Sequence, residues 1–153
     1  MCHEVSHALG LPDEYDTNYT ALGMSYWSLM DSGNYCDNGK TPCGLTAYER
    51  DLLGWRPLTV LERSTTVRLR PLEAGGAGYK VVNEANPDEY YVLENRQHVG
   101  WDNGLMKLGH GVLVVHVDYD ETAWKNNMLN TNATHQRMSF IPANNRYVGP
   151  YNA

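Results

Sequence analysis

The sequence lacks the features that mark several large classes of protein. It has no run of lysines and arginines, and its 18 acidic against 12 basic side chains leave a formal charge of −6. Nucleic acid and anionic membrane surfaces are therefore poor partners. It has no long apolar run. The longest, Val112 to Val115, suits a strand and falls far short of a membrane span. No heptad or internal repeat is present, which argues against a coiled coil or a solenoid. No export signal can be read in it. Cysteine is sparse, at three residues, and fits an exported protein only modestly. What remains is a 153-residue chain with enough length for a real core, as one domain or as a part-domain with a smaller one.

Against that plain background one segment stands out: His3-Glu4-Val5-Ser6-His7, followed by Gly10, Pro12 and Asp13. On a helix, positions i and i+4 share a face, so His3 and His7 can hold one metal between them. Glu4 sits one residue along, able to reach a water on that metal without ligating it. Gly10 can take the positive φ that ends a helix and turns the chain back. Pro12 stiffens the return, and Asp13 arrives where a third ligand is wanted. Three protein ligands with one open position is the pattern of a catalytic zinc. Further on, Met30 lies in the turn-forming context Ser25 to Gly33.

H-E-x-x-H-x-x-G with a downstream methionine resembles the metzincins. The closer resemblance is to the immune inhibitor A family of secreted bacterial metallopeptidases. It rests on Gly-Leu-Pro-Asp-Glu-Tyr-Asp at Gly10 to Asp16, then Gly44 to Glu49, Leu53-Gly54-Trp55, Glu89 to Gln97 and His116-Val117-Asp118. The resemblance implies zinc ligands His3, His7 and Asp13, the base Glu4, Met30 as a hydrophobic floor, and a protein or peptide substrate. Tyr35 is the nearest tyrosine after the methionine and the candidate for steadying the transition state. Asp13 stands where the commonest metzincin pattern has histidine. Being anionic, it should make the bound water less acidic than three neutral imidazoles would.

The implied fold is α+β: the carboxyl-terminal half of a metzincin-like catalytic domain over residues 1–57, then a β-rich region over 58–153 packed against it. Within the first part, His3 to Leu9 reads as helix and Leu11 to Gly44 as largely irregular. Thr46 to Glu49 reads as a capping box opening a second helix that Gly54 closes. Tyr48, Leu52 and Trp55 recur at helical spacing and are expected to pack. Beyond Arg56-Pro57, the alternation at Val67, Leu69 and Leu72 predicts a half-exposed strand. Tyr79 to Val82, Tyr90 to Leu93 and Gly111 to Val117 predict further strands. Asn86-Pro87-Asp88 predicts a turn, and the Asn-rich tail from Thr122 predicts loop with short elements.

A metzincin needs an upstream sheet and backing helix, so the chain is expected to be part of a longer exported or cell-surface enzyme, weak or inactive alone. Cys36 and Cys43 flank a turn-rich loop that could bring them together. The family's secretion favours a disulfide there over reduced thiols. Asp102-Asn103-Gly104 and Asp118-Tyr119-Asp120 hint at structural calcium without EF-hand spacing. His116 reads as a hydrogen-bonded core histidine, and Glu94 to Arg96 as an ion pair or turn contact. Two other functions stay open: an accessory protein- or glycan-binding module with a vestigial metal site, and a zinc hydrolase acting on a non-protein substrate.

Overall fold

The computed structural model describes residues 1–144. Helix α1 spans Cys2–Ala8, and after it comes a long stretch without sheet. That stretch holds only short 3₁₀ turns at Ser25–Trp27 and Ser32–Gly39. Helix α2 spans Ala47–Leu52. The expected capping box forms: Thr46 accepts from the Glu49 backbone, Glu49 accepts from the Thr46 backbone, and Gly54 follows at φ +68°.

A five-stranded sheet then builds in the order β1 (Thr59–Val60), β2 (Tyr79–Asn83), β3 (Asn86–Arg96), β4 (Gly111–Asp118), β5 (Met138–Phe140). The β1–β2 pair is parallel and the remaining pairs are antiparallel. Helix α3 spans Glu121–Lys125, between β4 and β5. Helices and sheet together make the described fold α+β, as expected.

Strand period explains the core. On β3, Tyr90, Val92, Glu94 and Arg96 face inward, and on β4 Leu113, Val115 and Val117 do. Their apolar members pack with Met24, Ala47, Tyr48, Leu72, Trp124, Leu129 and Met138 in one cluster. That cluster draws on the loops before residue 57 as well as on the sheet, so the sheet and the amino-terminal segment share one interior. The inward face of β3 becomes charged at its far end. There Arg96, 1% exposed, pairs with Glu94 at 2.9 Å and with Asp102 at 2.6 Å. This is the ion pair read from the sequence. It also takes up both Asp102 oxygens, which removes the Asp102 carboxylate from the suggested calcium loop.

Three expectations need correction. Residues 65–70 form no strand; the segment touches the sheet only through the isolated bridge from Pro71 to Asn95. The β2–β3 turn is at 84–85, and Asn86-Pro87-Asp88 belongs to β3. A register shift at Val82/Asn83 accommodates Pro87, which has no N–H to offer a ladder. Leu52 and Trp55 are 44% and 62% exposed, because α2 ends at Leu52 and the left-handed Gly54 turns the chain away from the helix line. Cys36 and Cys43 are free thiols that the loop brings together in the interior, in contact with one another as the bridge would require. No helix among the described residues is long and apolar enough to cross a membrane. Of the Asn-rich tail, residues 145–153 lie outside the described part.

Candidate metal centre

The site begins with the backbone of α1. His3 and His7 fall on one face of the helix, with ring centroids 4.7 Å apart and planes at 88°. Each ring is oriented through its Nδ1. His3 Nδ1 is 2.9 Å from the Leu29 carbonyl oxygen, and His7 Nδ1 is 2.8 Å from that of Leu11. A carbonyl only accepts, so in the neutral imidazoles both Nδ1 atoms carry the proton and both Nε2 atoms present bare lone pairs.

The Leu11 acceptor exists because Gly10, at φ +104°, reverses the chain under the helix end. That reversal also delivers Asp13. Its Oδ1 lies 3.1 Å from His3 Nε2 and 3.1 Å from His7 Nε2, and the two Nε2 atoms are 3.2 Å apart. Asp13 Oδ1 is a buried oxygen with no hydrogen-bond partner. Two imidazole nitrogens and a carboxylate oxygen thus converge, an arrangement that a bound cation would satisfy. Ligand atoms at about 2.0–2.1 Å from a tetrahedral zinc lie roughly 3.3 Å from one another, so the triangle fits that ion. Among the described residues this is the one group of three or more His, Cys, Asp or Glu side chains with metal-binding spacing.

Glu4 is exposed and lines, with His3, a cavity of about 210 Å³ whose wall also includes Tyr15, Asp31, Asn34 and Tyr35. Tyr35 is 68% exposed at its rim. Tyr15 is half-buried, its ring 6.4 Å from that of His3. Burial and the neighbouring Asp13 carboxylate push its phenol up to about 12, so it remains a donor at neutral pH. Tyr15 lies within the Gly10–Asp16 motif, but nothing in the sequence singled it out as facing the site. A larger cavity of about 450 Å³, walled by Cys2, Leu29, Trp55 and Trp101 among others, includes none of Glu4, His7 or Asp13.

Met30 is fully buried, and its backbone ties the neighbouring loop down. Its N–H points at Ser28 Oγ (2.9 Å) and Glu49 Oε1 (3.3 Å), while its carbonyl accepts from the Glu14 N–H (2.9 Å). Leu29, one residue earlier, is the residue that holds His3. Glu14 is buried rather than turned to solvent, and burial, with Glu49 nearby, raises its pKa well above the carboxylate range. Asp31 is likewise pushed up, to about 6, by burial.

No spacing or motif indicated that residues 127–136 reach this site. Asn127, just beyond α3, accepts from the Asp13 N–H at 2.6 Å and donates to Asp13 Oδ2 at 2.5 Å. Asn130 Nδ2 donates to the Glu14 carbonyl at 2.7 Å, and Gln136 Oε1 accepts from the Gly23 N–H at 2.9 Å. By contrast, His116 is half-buried on β4 and pairs with Glu89 at 2.9 Å, away from the centre.

Two histidines one turn apart, a returning carboxylate and an adjacent glutamate make up a donor set that metallopeptidases use. Comparison with known proteins agrees. Residues 1–56 match the family described as immune inhibitor A peptidase M6, catalytic domain, and the similarity to the immune inhibitor A family is shown for that segment. The pre-pro-metalloprotease PrtV of Vibrio cholerae serotype O1 is 46% identical over 55 residues, which cover 33% of this chain and 6% of that protein. Immune inhibitor A of Bacillus thuringiensis subsp. alesti is 42% identical over 53 residues, covering 32% of this chain and 8% of that protein. The matched stretch thus spans less than a tenth of each relative's length. The motifs noted beyond residue 56 lie outside the family match. No solved structure matches the chain.

Proposed function

We propose that this chain carries the metal site of a zinc endopeptidase, with His3, His7 and Asp13 as ligands and Glu4 as the general base. The observation that carries the reading is the convergence of three possible metal-donor atoms at 3.1–3.2 Å within the segment similar to a peptidase catalytic domain. Bound zinc would supply Lewis acidity, lowering the pKa of water and polarising a carbonyl. The chain's own residues do the rest. The Leu29 and Leu11 carbonyls fix the imidazole tautomers. Glu4, on the wall of the cavity beside His3, takes a proton from the attacking water and returns it to the leaving amine. Tyr15, which faces the same cavity, is better placed than the exposed Tyr35 to donate to a developing oxyanion. Met30 and its loop form the floor, in the manner of a metzincin Met-turn, and residues 58–153 form a β-rich region backing the 1–57 segment. Export from a bacterial cell and a protein or peptide substrate complete the reading, supported by the relatives' names.

The test is a pair of measurements. Zinc should bind the chain at one per molecule, with Asp13→Ala weakening it far more than Glu14→Ala. Casein hydrolysis by the chain, or by the longest protein its reading frame encodes, should be lost in Glu4→Ala with zinc content unchanged. Undiminished proteolysis in that variant would sink the mechanism, whereas no proteolysis by the zinc-loaded wild-type protein would favour an accessory module.

A further inference from the structure

We infer that Asn127 is a positioning residue of the metal centre, so that the site is completed from a part of the chain beyond the segment similar to the peptidase family. The inference rests on the metal-site reading above. His3 and His7 are held by their own helix and by two carbonyls, whereas Asp13 lies in a loop after Gly10 and Pro12 with no such frame. Asn127 supplies it. One carboxamide satisfies both the Asp13 N–H (2.6 Å) and Asp13 Oδ2 (2.5 Å). Only one amide orientation can do this, because the flipped form sets N–H against N–H and oxygen against carboxylate. The bond to Oδ2 engages that oxygen and leaves Oδ1 alone facing the imidazoles, so Asp13 is set up to ligate through a single atom.

The choice of asparagine follows from the backbone as well. Asn127 sits at φ +57°, immediately after α3, and its N–H donates to the Trp124 carbonyl at 3.2 Å. Asparagine tolerates that left-handed conformation better than other residues carrying both a donor and an acceptor. Trp124 in turn is buried in the core, and its indole N–H donates to Tyr48 Oη at 2.6 Å. Position is thereby passed from core to helix end to amide to ligand. A second strut runs parallel: the Met138 N–H donates to Asn130 Oδ1 (3.0 Å), whose amide holds the Glu14 carbonyl.

The experiment compares the full chain with Asn127→Gly, which keeps the left-handed backbone but loses the amide, and Asn127→Asp, which keeps the shape but replaces the donor with an acceptor. Zinc affinity is measured by competition with a chromophoric chelator, and the visible spectrum of the cobalt(II)-loaded chain reports coordination number. Both variants should bind zinc roughly 10–100-fold more weakly, as supporting partners of ligands typically do when removed. In Asn127→Gly the cobalt bands should lose intensity, because a carboxylate freed at Oδ2 can bind through both oxygens. Wild-type affinity and an unchanged cobalt spectrum in both variants would overturn the inference while leaving the metal site standing. A wild-type chain that binds no zinc would instead remove the metal-site reading itself.

Discussion

Replacing Arg96 with methionine tests the buried charge balance behind the site. The guanidinium is 1% exposed and makes five hydrogen bonds: two to Asp102, and one each to Glu94, the Trp27 carbonyl and the Gly44 carbonyl. Burial disfavours its charge, but Glu94 and Asp102 more than compensate, and its pKa is raised. Methionine fills similar volume and strands two buried carboxylates. Removing one partner of a buried pair costs about 3–5 kcal/mol. The expected loss is therefore about 3–5 kcal/mol, a large share of the whole stability of many domains.

Urea denaturation followed by circular dichroism at pH 7 is the assay. Adding Glu94→Gln and Asp102→Asn to the variant should recover most of the loss, because no buried charge is then left without its partner. A deficit below about 1 kcal/mol would refute the reasoning.

Two further outcomes are expected. Asp31, raised by burial from its ordinary 3.8 to about 6, contributes stability below pH 4 that is lost as pH rises through 6, by roughly 3 kcal/mol. Asp31→Asn should flatten the denaturation midpoint between pH 4 and 6.5 relative to wild type, and an unaltered slope would contradict the assignment. Cys36 and Cys43 should link when the chain is made in an oxidising compartment, seen as a joined peptide in an unreduced digest. Two freely alkylated thiols there would count against both the bridge and an exported location.

What could be read from the sequence was local. The α1 histidine pair, the reversal at Gly10, the capping box at Thr46 and strands β2, β3 and β4 all follow from spacing within a few residues. The misreadings arose where distant neighbours decide. Residues 65–70 alternate like a strand but join no ladder, and Trp55 has helical spacing on a helix that has already ended. Asp13 was identifiable by its offset, while Asn127 was not. One asparagine among many in a polar tail carries no periodicity, and only the fold reveals that its amide meets Asp13.

The contacts from Asn127, Asn130 and Gln136 to the loop at residues 13–23 span 113 to 116 residues of sequence. In folding terms, the centre is a late event. A flexible loop of that length costs about 4 kcal/mol to close by its length dependence alone, a cost met only once the intervening sheet has drawn the ends together. The histidine pair is available as soon as α1 forms, whereas the carboxylate is fixed only when α3 and β5 have docked. A partly folded chain would therefore hold metal loosely, and full affinity would appear together with the finished fold.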